Sequence, residues 1–191
     1  MSDDSESLRP RNPFLEAVGS VTIAGAQLDS SLHHLLGWIA DEPTLLAYAN
    51  AGSTDQLIQL CRLALAVSLT IWPDDKKAIE ACLKRADDLR TRRNDVVHSL
   101  YFQVEASQHV KASKPIRKGF GYKSTNISLE EMEAVADEVQ KLRDDMYVAG
   151  WNAVAVQRGG RRVPTRAEIE AAVAAAVNEA MNKAGDDSAS E

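Results

Sequence analysis

Apolar side chains recur every three or four residues along most of this chain, and each stretch of that rhythm is bounded by residues that cap or break helices. Asn12 followed by Pro13 reads as an N-cap and a first-turn proline. Behind them Leu15, Val18, Ala24 or Ala26, Leu28, Leu32, Leu35 and Ile39 share one face, which predicts a helix over residues 13 to 40. A short helix is expected from Pro43 to Asn50, ended by Ala51-Gly52. Ser53 with Gln56 forms a capping-box pattern opening a helix over 54 to 71, which Trp72-Pro73 ends, and Asp74 or Asp75 then caps the next.

That next helix runs through DKKAIEACLKRADDLRTRRNDVVHSLYF, turning Ile79, Cys82 or Leu83, Ala86, Leu89, Val96 or Val97 and Leu100 toward a core. The pattern then changes. Residues 102 to 127 contain Pro115, Gly119 and Gly121 and lack a helical period, so they read as a long loop or as a small hairpin pairing 102–105 with 120–122. Ser128 and Glu131 restart the helical rhythm, with Leu129, Met132, Val135, Val139, Leu142, Met146 and Ala149 or Ala153 in a stripe reaching about residue 155. After a break at Arg158-Gly159-Gly160-Arg161, Thr165 and Glu168 cap an Ala-rich helix anchored by Ile169, Val173 and Val177. The expectation is an all-α bundle over residues 12 to 155 with one irregular insertion. A C-terminal helix over 165 to 184 is packed on the bundle or placed at an interface.

A chain of 191 residues can bury roughly 70% of the surface its unfolded form exposes, enough for one sizeable core. With 45% hydrophobic and 26% charged residues it is too apolar to be disordered throughout and too charged to be embedded in a membrane. The start MSDDSESLRP is acidic where a signal peptide is positive and then apolar, and the most apolar run, Leu63 to Trp72, is too short to span a bilayer, so a cytoplasmic location is expected. Cys61 and Cys82 sit in helical stretches without metal-ligand spacing and read as core thiols. No cofactor or metal is implied: His33-His34 are adjacent and so point about 100° apart on a helix.

A net charge of −6 argues against coating nucleic acid with the overall field, but leaves room for a confined basic site. The sharpest local signal is Arg92-Arg93-Asn94-Asp95-Val96-Val97-His98. Asn94 and His98 are four apart on one helix face, Asp95 is three from His98, and Arg93 lies about 140° around the helix with a side chain long enough to reach back. His98 can exchange protons near neutrality and Arg93 can hold a phosphate, a pair suited to attack by a ribose 2'-hydroxyl on the adjoining phosphate. The same letters also describe a helix-terminal His beside ordinary surface ion pairs. Arg92 offers electrostatic support, and Asp95 either orients His98 or caps a neighbour. Between residues 109 and 123 there is no Asp or Glu, and Lys114, Arg117, Lys118 and Lys123 interleave with Phe120 and Tyr122, a composition fit to guide RNA or simply to solvate a loop.

Arg93, four intervening residues and His98 near the end of a long helix resemble the HEPN superfamily of helical bundles, and Asn94 directly after the Arg agrees with that pattern. The resemblance covers residues 12 to 155. It implies a homodimer in which two copies of Arg93, Asn94 and His98 meet in a cleft to cleave RNA without a metal, in a toxin, defence or RNA-processing setting. It is equally compatible with a non-catalytic module that binds a regulatory protein or a nucleotide.

Overall fold

The computed structural model describes residues 12–40, 42–103, 109–116 and 120–188. These form a bundle of six helices with a small antiparallel sheet inserted before the fifth: α1 (Pro13–Ile39), α2 (Pro43–Ala49), α3 (Thr54–Val67), α4 (Pro73–Val97), β1 (Leu100–Gln103), β2 (His109–Pro115), β3 (Tyr122–Ser128), α5 (Leu129–Val154) and α6 (Arg166–Ser188). The caps expected at four helix starts are formed. Asn12 Oδ1 accepts from the Phe14 and Leu15 amides, while Ser53/Gln56, Ser128/Glu131 and Thr165/Glu168 exchange side-chain and backbone hydrogen bonds. Between α3 and α4 the boundary differs from expectation. Helix α3 stops at Val67, and α4 begins at Pro73 with Trp72 as its N-cap, because a proline needs no amide partner in the first turn.

The main core lies among α1, α3, α4 and α5, where Leu28, Leu32, Leu36, Leu57, Ile58, Ile79, Leu83, Leu142 and Met146 are buried. Both cysteines belong to it, and burial pushes the Cys61 thiol up to about 12 and the Cys82 thiol up to about 11. The first turns of α1 are phased differently from the expected stripe. Ala17 and Val21 face inward, while Leu15 is 69% exposed.

A second apolar cluster of Ala17, Val21, Val96, Val110, Met132 and Val135, with Tyr101 and Ile127 against it, fastens the sheet over the end of α4. Strand order is β1-β2-β3, with Tyr101 opposite Ala112 and Val110 opposite Ile127. Residues 102 and 103 do not pair with 120–122 as expected, and 104–105 of that expectation lie outside the described residues: the middle strand comes from residues 109–115, and β1 and β3 are its two neighbours. Leu100 consequently leaves the helical stripe it was assigned to and stands 56% exposed on β1. After α5, Asn152 holds Val163 through both its amide and its carbonyl, and Arg162 donates to both Asp75 oxygens at 2.9 and 2.7 Å. These contacts launch α6 from the bundle, and its described side chains, Arg166 to Asn178, are exposed. Among the described residues no helix is long and apolar enough to cross a membrane.

Candidate functional site

Helix α4 ends at Val97, and His98 is its C-cap, with φ −105° and ψ 18° and its amide donating to the Asn94 carbonyl at 3.2 Å. The helical repeat then places Arg90, Asn94 and His98 one turn apart on a single face. This face and the β2–β3 hairpin enclose an open cleft of about 510 Å³ lined by Arg90, Thr91, Asn94, Asp95, His98, Lys114, Pro115, Ile116 and Lys123. Lys114 and Lys123 are direct cross-strand partners, an arrangement that is unfavourable unless their charge is offset. Asp95 supplies that offset through an ion pair with Lys114. Arg90 is turned toward Asp87, whose carboxylate it reaches at 2.6 Å, and toward Asp55 at 3.4 Å. His98 is exposed, and among the described residues none of the side chains of His98, Asn94 and Lys123 has a hydrogen-bond or ion-pair partner. Beneath the cleft Tyr101 donates its hydroxyl to the Val96 carbonyl, and partial burial raises its pKa.

Asn94, Asp95 and His98, expected to share one polar patch, line this cleft together with Lys114 and Lys123, which the sequence offered as a separate basic stretch. Arg93 is not among them. It lies on the Leu89–Val96 side of α4, only 17% exposed, with Nη2 3.3 Å from Thr54 Oγ1 and 3.8 Å from Asp29 Oδ2. Thr54 in turn donates to Asp29 Oδ1 at 2.6 Å, and Arg93 Nε is buried with no partner among the described residues. Arg92 points to a third side and pairs with Glu138 of α5. Arg117 and Lys118 lie outside the described residues. Phe120 is fully exposed next to the cleft-forming hairpin.

Arg90 is the charged cleft residue that sequence reasoning passed over, along with Thr91 and Ile116, although its spacing of four from Asn94 and eight from His98 carried the signal. The Asp29–Thr54–Arg93 cluster had no such signal, because its members come from three helices and meet only when α1, α3 and α4 pack. Among the described residues no group of three or more His, Cys, Asp or Glu side chains stands together to hold a metal ion. Comparisons with protein-family models, with curated proteins and with solved structures find no match to this chain.

Proposed function

We propose that this protein is a HEPN-like endoribonuclease that works in the cytoplasm, needs no metal, and cleaves RNA by attack of a ribose 2'-hydroxyl on the adjoining phosphate. The observation that carries the reading is the cleft at the end of α4, where the side chains of His98 and Asn94, without partners among the described residues, share a wall with Lys114 and Lys123. His98 takes the proton of the 2'-hydroxyl, the O2'–P bond forms, and the P–O5' bond breaks. The imidazolium so formed gives that proton to the leaving 5'-oxygen, which yields a 2',3'-cyclic phosphate and a 5'-hydroxyl end and restores neutral His98. Lys123 and Lys114 neutralise phosphate charge, and Asn94 orients the scissile group. Arg93 acts on the phosphate after its guanidinium leaves Thr54 and Asp29, in a two-fold assembly that sets two copies of the Arg93–His98 motif side by side.

The second reading is a non-catalytic binding or regulatory module, and what favours it is that Arg93 is held between α1 and α3 and does not line the cleft. The deciding experiment is incubation of a mixed RNA panel with wild type and with His98→Ala, chelator present. Chelator-resistant cleavage that vanishes in His98→Ala and leaves cyclic phosphate ends is the expected result. Undiminished cutting of RNA whose 2'-hydroxyl at the cut site is replaced by hydrogen sinks the mechanism.

A further inference from the structure

The inserted sheet has two faces with different fates. Alternation along the strands turns Tyr101, Val110, Ala112 and Ile127 onto the helices, with Lys114 and Lys123 at the cleft end of that face. The opposite face carries Phe102 beside Lys111, Leu100 beside Ser113, and Tyr122 beside Pro115. Phe102, Leu100 and Tyr122 are 55, 56 and 63% exposed, and none of the described elements covers them. By the register, Phe102 and Tyr122 stand at opposite corners, offset by four residues along the strands and two strand spacings across, roughly 16 Å apart. The Tyr122 corner adjoins the cleft, since its cross-strand partner Pro115 is one of the cleft-lining residues.

Charge selects the occupant. The three strands contain Lys111, Lys114 and Lys123 and no Asp or Glu, in a protein whose net charge is −6. An apolar face kept clear of carboxylates, studded with separated rings and bordered by lysines, complements a flexible polyanion with flat apolar bases. We infer that the outer face of the β1–β2–β3 sheet is a stacking platform for single-stranded RNA, with Phe102 and Tyr122 each holding a base and Lys111 a phosphate beside Phe102. A strand leaving the His98 cleft passes the Pro115–Tyr122 edge and continues across this face. The inference rests on the ribonuclease reading for the identity of the polymer, and it narrows the substrate to RNA with unpaired bases, because paired bases offer no free ring faces.

The test is binding of the full chain to 2'-O-methyl oligoribonucleotides, single-stranded and duplex, which have no 2'-hydroxyl to attack and so report binding apart from cleavage. Phe102→Ala and Tyr122→Ala are each expected to weaken single-strand binding by about 5- to 150-fold, the range one stacked base supplies, with duplex binding unchanged. Phe102→Leu, which keeps apolar bulk but removes the ring, is expected to lose affinity as well. Circular dichroism of each variant guards against misfolding, and Phe102→Tyr, which preserves the ring, should retain binding. Unchanged single-strand affinity in the ringless variants, or equal losses on duplex, overturns the inference. So does a change of oligomeric state in Phe102→Ala with RNA affinity intact, which would make the face a protein interface. Normal discrimination of single strands by a protein that cuts no natural RNA would retain the platform and remove the nuclease reading.

Discussion

The guanidinium of Arg93 lies directly over Gly25: a Cβ at that glycine would come within 2.7 Å of Arg93 Nε and 3.1 Å of Cζ. Helix α1 thus gives up a side chain at the point where α4 pushes a charged group toward it. Arg93 gains little from the arrangement, since its ion pair with Asp29 is long at 3.8 Å and its buried Nε has no partner among the described residues. A part-exposed pair of this kind contributes about 0–1 kcal/mol, whereas an unsatisfied buried donor costs about 1–3 kcal/mol. Arg93→Met is therefore expected to leave stability within about 1 kcal/mol of wild type or to raise it, as read by urea unfolding. A loss above about 2 kcal/mol would show that the Asp29–Thr54–Arg93 cluster is a structural clamp.

Cleavage should separate the residues that chemistry needs from those that only supply charge. His98→Ala and Arg93→Ala are each expected to lower RNA cleavage by roughly 10²-fold or more, the scale of a positioned proton-transfer group or a preorganised charge. Lys123→Ala should act mainly on binding and flatten the dependence of affinity on salt. Arg92→Ala, whose side chain is engaged with Glu138 away from the cleft, should change either quantity little. Single-turnover rates against RNA concentration, repeated at two ionic strengths, distinguish these outcomes.

Two leucines on the same apparent stripe of α1 should behave differently. Leu28 is fully buried in the core, so Leu28→Ala is expected to cost about 2–5 kcal/mol. Leu15 is exposed, and Leu15→Ala should stay within about 0.5 kcal/mol of wild type. Comparable losses in thermal or urea melts would contradict the observed phase of the first turns of α1.

The buried thiols give stability a dependence on alkaline pH. Burial raises Cys61 and Cys82 from an ordinary value of 9.0 to about 12 and about 11, so between those limits the unfolded chain sheds protons that the folded chain keeps. Their contribution is complete below pH 9 and is lost as pH rises toward the folded values. Urea midpoints should fall from pH 8 to pH 10 by more in wild type than in Cys61→Ala/Cys82→Ala. Iodoacetamide at pH 8 should leave both thiols unmodified until the protein unfolds. Rapid labelling of the folded protein would contradict the burial.

The six helices were legible in the sequence because helix formation is local: a capping residue, a three-to-four-residue apolar rhythm and a terminating Gly or Pro all lie within a few turns of one another. The capping boxes at Ser53, Ser128 and Thr165 and the buried stripe of α5 appear where that reasoning put them. The fixed spacing of Asn94, Asp95 and His98 likewise determined that they would share one face. Folding alone decided the rest. Which strand joins residues 100–103 depends on the Val110–Ile127 and Tyr101–Ala112 pairings and on the apolar cluster beneath them, contacts between segments that short-range pattern cannot order. The same holds for Arg93 and Arg90. Their positions on α4 are set by the helical repeat, but the packing of α1 and α3 against that helix puts one behind the cleft beside Gly25, and the docked sheet gives the other a cleft to line.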